Sequence, residues 1–143
     1  MAEQSYANHR RYYPLFHYVV VPLLALHFIS QVVLLIMHPS MNGVYWSVFA
    51  LTLVLLAITA RWQALIAQNR IIRLEERLRY KDILPADLAA KANDLDVQQI
   101  ISLRFASDQE LEGLVRRTLD GEFAKPDDIK KAVTHWRADH LRV

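Results

Sequence analysis

The stretches FHYVVVPLLALHFISQVVLLIM, Phe16 to Met37, and VYWSVFALTLVLLAITA, Val44 to Ala60, decide the fold. As a helix the first covers roughly 33 Å at ~1.5 Å per residue, enough for a bilayer core of about 30 Å. The second covers only ~26 Å. It runs on, however, as Arg61, Trp62, Gln63, Ala64, Leu65 and Ile66 without a breaker, and Arg61 can snorkel toward the interface. Between them His38, Pro39, Ser40, Met41, Asn42 and Gly43 make a turn too short for anything but an antiparallel return. The pattern predicts an all-α membrane protein with a transmembrane hairpin over residues 16–60, spans 16–37 and 44–60. The rival reading is a buried hairpin of a soluble protein, and a charge-free run of this length argues against it.

Outside the hairpin the chemistry changes abruptly. Tyr12 to Ala60 holds no Lys, Arg, Asp or Glu, whereas Arg61 to Val143 holds 15 of the 17 basic and 14 of the 15 acidic residues. The averages, 53% hydrophobic and 22% charged, would suit a soluble domain and conceal this division. A net charge of +2, with acids interleaved among the bases, gives no support for nucleic-acid binding. The absence of cysteine excludes disulfides, thiolate metal sites and a Cys nucleophile. The first apolar run is too long for a signal peptide and lacks a small-residue cleavage site, so it reads as a retained anchor.

Basic residues set the expected orientation. Arg10 and Arg11 precede the first span, Arg61, Arg70 and Arg73 follow the second, and the turn has none. The positive-inside rule then predicts a multi-pass protein of a bacterial inner membrane with both termini cytoplasmic. Tyr12, Tyr13 and Tyr18 with Trp62 would mark one interface, Tyr45 and Trp46 the other. Residues 1–15 read as a cytoplasmic or interfacial segment.

Trp62 to Tyr80 lacks Gly and Pro, so the second helix is expected to continue as a cytoplasmic stalk over residues 61–83. Its bases Arg70, Arg73, Arg77, Arg79 and Lys81 outnumber Glu75 and Glu76, and Glu75 with Arg79 has the favourable i,i+4 orientation. Arg61, Arg70 and Arg73 are candidates for anionic lipid headgroups, at about 1 kcal/mol for each base near the surface. A solvated helix face is the blander alternative. Along the helix Ala50, Leu53, Ala57, Ala60, Ala64, Ala67, Ile71, Leu74 and Leu78 recur at alternating steps of three and four, a heptad seam for helix association. It is alanine-rich where helices approach closely in lipid and turns to Ile and Leu where apolar burial drives association. Either this seam packs on the protein's own helices, or its aqueous half meets another copy or a partner.

Residues 84–143 read as a small helical domain. Pro85 can take a first helical position, Asp96 with Gln99 and Ser107 with Glu110 have capping-box spacing, and Gly121 can stop the helix begun at Ser107. Pro126, Asp127 and Asp128 open a last helix whose apolar side carries Ile129, Ala132, Val133 and Trp136. Such short pieces are unstable singly, so Leu114, Val115, Leu119, Ile129, Val133 and Trp136 are expected to share a core.

Several segments carry a family resemblance: Asn8-His9 with Tyr12-Tyr13-Pro14, Arg73-Leu-Glu-Glu-Arg-Leu-Arg79, Leu84-Pro-Ala-Asp87, Leu103-Arg-Phe-Ala-Ser-Asp108 and Trp136-Arg-Ala-Asp-His-Leu-Arg142. The chain resembles a bacterial family of small two-span membrane proteins of unknown function, whose members are sometimes loosely labelled ABC transporter permeases. The resemblance covers essentially the whole chain and implies no catalytic residues. Two spans, no second repeat and no intramembrane charge are poor material for a transport pathway.

Histidines are the remaining chemical candidates. His27 and Gln31 share a face of the first span, and His27 could ligate a haem or pigment; the alternative is that His27, Ser30 and Gln31 hydrogen-bond across a helix interface. His17 lies roughly 80° around the helix from His27. His135 and Asp139, at i,i+4, with His140 nearby, make at most a weak metal pair. No phosphate loop, nucleophile elbow or paired-His zinc motif is present. The reading is therefore a non-enzymatic accessory or scaffold subunit of a larger inner-membrane assembly, with respiratory and photosynthetic complexes as candidate hosts, or a self-associating protein. Its expected partners are the lipid bilayer and membrane-protein subunits or a second copy, with no cofactor or metal. A haem- or pigment-bearing subunit using His27 is the alternative, and a pore or transport component a further one.

Overall fold

A computed structural model describes residues 4–9 and 12–139, and every regular element among them is helical. A π-helical turn, Leu15–Val20, leads into α1, Val21–Met37; then follow α2, Met41–Ile83, α3, Ala86–Ala92, α4, Val97–Leu103, α5, Asp108–Leu119, and α6, Pro126–Ala132. Two stretches, Leu15–Met37 and Met41–Ile83, are long and apolar enough to cross a membrane. The π turn has an identifiable cause in Pro22, which has no N–H to donate and whose ring would crowd the Tyr18 carbonyl in a regular helix. Widening the preceding turn relieves that clash, and Val21 N–H bonds instead to the Phe16 carbonyl.

α2 begins at Met41, inside the expected turn, because Ser40 caps it: the Ser40 hydroxyl oxygen accepts the Gly43 N–H at 3.0 Å. The 43 residues of α2 then run without interruption. The chain divides into two compact units, one from Tyr12 to Ile66 and one that joins the N-terminal residues to the chain from Ala67 onward.

In the first unit the helices meet closely near the turn. A Cβ on Gly43 would stand 3.0 Å from Leu35 Cδ1, Ser47 Oγ donates to the Gln31 carbonyl at 3.3 Å, and Ala50 is buried. Small residues at i, i+4 and i+7 bring the helices together there. Farther along, Leu24 and Phe28 of α1 face Val54 and Ala57 across an apolar cleft of about 420 Å³. The pair thus forms a wedge, closed at the turn and open toward Phe16 and Arg61.

The second unit is built around Tyr80, Leu84, Leu88, Ile100, Leu103, Leu111, Leu114, Val115, Ile129 and Val133. Leu119 and Trp136 pack against this core, half-buried. Cap chemistry set the helix starts: Asp96 Oδ2 accepts the Gln98 N–H at 2.8 Å while Gln99 Oε1 accepts the Asp96 N–H at 2.9 Å. Gly121, at φ 77°, closes α5 in the left-handed conformation that its missing Cβ permits. Pro85 is the N-cap of α3 and stands just before its first turn. The last helix is shorter than its apolar pattern suggested: Val133 is already extended, and Trp136 lies beyond the helix, bridged in antiparallel fashion to Ala106. Tertiary pairing overrides local periodicity there. Leu114→Ala should cost ~2–5 kcal/mol by opening a cavity in this core, read as a lower urea midpoint of the full chain in detergent; an unchanged midpoint would remove Leu114 from the core.

The N-terminal segment packs into the second unit. Gln4 and His9 are buried in the second unit. Asp139 N–H donates to Gln4 Oε1 at 2.8 Å, Tyr6 hydroxyl donates to Asp127, and the His9 ring lies 5.8 Å from Phe105 and 5.9 Å from Trp136.

Candidate functional site

The segment of α2 from Ala67 to Ile83 has two unlike faces. Ile72, Glu76, Arg79 and Tyr80, spaced as one helical side, are buried against the second unit. On the other side Ile71, Leu74 and Leu78 are 58%, 61% and 54% exposed, in a segment otherwise rich in charge. The seam read from the sequence therefore separates into two parts: Ala50 is buried and Leu53 and Ala57 half-buried, while Ala60, Ala64, Ala67, Ile71, Leu74 and Leu78 are exposed. Ile71 and Leu78 share one heptad position and Leu74 takes the other, the arrangement that a two-helix seam requires.

Behind this stripe lies an ionic cluster. Arg79 donates from Nε and Nη2 to Asp108 Oδ1 at 2.9 and 2.6 Å, from Nη2 to the Ala106 carbonyl at 2.7 Å, and from Nη1 to Glu76 Oε2 at 3.1 Å. Arg137 Nη1 donates to the other Glu76 oxygen at 3.1 Å. Burial pushes the Glu76 carboxyl above the usual carboxylate range, although Arg79 and Arg137 pull it down. Burial, and then the nearby Glu76, push the Tyr80 hydroxyl well above an ordinary phenol. The i,i+4 spacing of Glu75 and Arg79 is not used for an ion pair. Arg79 turns inward to Glu76 and Asp108, because a buried guanidinium needs several acceptors at once.

Glu110 ties α5 to the extended C-terminal segment. One carboxylate oxygen accepts from Ser107 N–H at 3.2 Å and His135 N–H at 3.1 Å, the other from Thr134 N–H at 3.1 Å and its hydroxyl at 2.7 Å. Desolvation raises the Glu110 pKa, but the bonds from Thr134, Ser107 and His135 outweigh it and hold the group below the usual range. A depressed folded pKa contributes stability above the unfolded value that is lost as pH falls through the folded one. Lowering the pH from about 5 to 3 should therefore destabilise the second unit through Glu110. Glu110→Gln should flatten that part of the stability curve; an unchanged acid limb would show that this carboxylate does not contribute to it.

The remaining sequence candidates are dispersed. His27 is half-buried and its carbonyl accepts from Ser30 Oγ at 2.8 Å, while the Gln31 carbonyl takes Ser47. His17 Nδ1 lies 3.0 Å from the Tyr13 carbonyl oxygen. His135 and Asp139 do not form an i,i+4 helical pair, because the chain there is not helical; Asp139 pairs instead with Arg104 at 3.0 Å. Among the described residues no group of three His, Asp or Glu gathers as a metal set. Arg61 borders the apolar cleft, Arg70 is exposed and Arg73 half-buried. Arg10, Arg11, His140 and Arg142 lie outside the described residues.

Among the described residues the regular elements are all helical, two of them are long and apolar enough to cross a membrane, and an apolar stripe is exposed on the charged part of α2. The chain's family model is that of a family of unknown function, DUF6526, which matches residues 1–143, and the chain belongs to that family. No curated protein and no solved structure matches it.

Proposed function

We propose that the chain is a non-enzymatic scaffold or accessory subunit of a bacterial inner-membrane assembly, anchored by a two-helix transmembrane hairpin and joined to a second copy or a partner subunit through the stalk face of α2. The observation that carries this reading is the exposed triplet Ile71, Leu74 and Leu78. α2 is about 65 Å long at ~1.5 Å per residue, roughly twice what a bilayer core requires. Its second half therefore lies in water, where three large apolar side chains in register favour association.

The same-side arrangement of the termini has independent support. Gln4, Tyr6 and His9 bond or pack with Asp139, Asp127 and Trp136, which supports two crossings that return the chain to the side from which it started. The basic residues around the hairpin support the cytoplasm as that side. The test is native mass spectrometry of the full chain released from nanodiscs prepared directly from membranes. A dimer or a stoichiometric partner is the expected result, and a lone monomer in every preparation would contradict the reading.

A further inference from the structure

The cleft between α1 and α2 has chemistry of its own. It is lined almost wholly by aliphatic and aromatic side chains, and among the described residues that line it only Arg61 is charged. Arg61 lies beside Phe16, its guanidinium carbon 6.0 Å from the ring centroid, and Trp62 on the rim is 66% exposed. From Val54 to Leu65 the cleft extends ~16 Å along α2. That is about half of a 30 Å bilayer core, the depth of one leaflet. Its volume of about 420 Å³ falls within the range of roughly 300–1,000 Å³ typical of ligand sites.

Dimensions select the occupant. A hydrocarbon chain, whose atoms meet their neighbours at ~4 Å, fits a slot of this length and apolar lining. The end toward the turn is lined by Phe28, Ile29 and Val54, and the other end carries a cation, Arg61. An arginine at the end of an apolar slot matches a phosphate at the end of an apolar tail, since guanidinium offers several N–H donors in a fork suited to phosphate oxygens.

We propose that this cleft binds one acyl chain of an anionic phospholipid, with Arg61 holding the phosphate. The site rests on the membrane reading given above, and lies in the cytoplasmic leaflet. An annular lipid exchanges without regard to headgroup; a lipid held here is selected by charge and retained by shape.

Trp62 provides the reporter. The full chain, with Trp46→Phe and Trp136→Phe, is reconstituted in phosphatidylcholine vesicles, and acyl-brominated phosphatidylglycerol or phosphatidylcholine is added as quencher. Brominated phosphatidylglycerol should quench Trp62 at a several-fold lower mole fraction than brominated phosphatidylcholine. Arg61→Gln should abolish that preference and Arg61→Lys should retain most of it. Ala57→Phe, which projects a ring into the cleft, should reduce the preferential quenching; the Arg61 variants decide the matter if Ala57→Phe fails to insert. Equal quenching by both lipids, or a preference that survives Arg61→Gln, overturns the site while leaving the membrane reading intact. Quenching by neither lipid places Trp62 outside the bilayer and overturns both.

Discussion

Arg79→Met is expected to destabilise the second unit by about 3–5 kcal/mol, the range for removing one partner of a buried ion pair. Glu76 is almost inaccessible, at 4% side-chain exposure, and loses the Nη1 donor of Arg79; its remaining partner, Arg137, is 53% exposed. Asp108, 65% exposed, can rehydrate, but the Ala106 carbonyl loses its donor as well. The penalty thus comes mainly from a carboxylate left in a poorly hydrated place, and methionine supplies much of the lost packing volume. Adding Glu76→Gln to Arg79→Met should restore a substantial part of the loss, because the stranded charge is then gone. Urea unfolding of the full chain in detergent, followed by Trp136 fluorescence, measures both. A loss below about 1 kcal/mol for Arg79→Met would mean that the cluster behaves as an ordinary surface ion pair.

The second large effect concerns association. Ile71→Asp with Leu74→Asp should weaken assembly by two orders of magnitude or more, since each side chain contributes ~1.5–3 kcal/mol when buried and the two together exceed 1.4 kcal/mol per tenfold several times over. Because both side chains are exposed within the chain itself, insertion and folding should stay within about 0.5 kcal/mol of the parent. Native mass in nanodiscs is expected to shift to the single chain, with far-UV circular dichroism unchanged. If the Asp variants keep the mass and partners of the parent, the stalk stripe is not an assembly surface.

The long helices were legible because their signal is one-dimensional: 49 residues without a charge from Tyr12 to Ala60, then a dense mixture of charges. Caps were legible because they are local, as Asp96 with Gln99 illustrates. The heptad seam was visible too, but not which of its residues would be covered. That depends on Ile72, Glu76 and Tyr80, which turn the neighbouring side of α2 inward and leave Ile71, Leu74 and Leu78 outside. Charge misled at Arg79 and Glu76, because a base and an acid on a stalk read as solvated and nothing in their spacing reveals Asp108, Ala106 and Arg137 around them. The docking of residues 4–9 joins positions about a hundred or more apart in the chain, for which periodicity carries no signal; the clustering of His9, Phe105 and Trp136 is visible only in three dimensions. Pro22 was a local cue to the π turn, since a proline within a helical run forces a rearrangement one turn earlier.

A hairpin that crosses the membrane twice with both ends in the cytoplasm, as proposed, is directly testable because the chain has no cysteine. Met41, 84% exposed at the start of α2, and Gln109, exposed in the first turn of α5, are each replaced by cysteine in turn. Ser107 is less suitable than Gln109 because its hydroxyl is buried. Intact cells, with the outer membrane made permeable, are then treated with a thiol reagent that cannot cross the inner membrane. Met41→Cys should label fully, and Gln109→Cys should label only after the inner membrane is broken; labelling of Gln109→Cys in intact cells, or protection of Met41→Cys, would contradict the account.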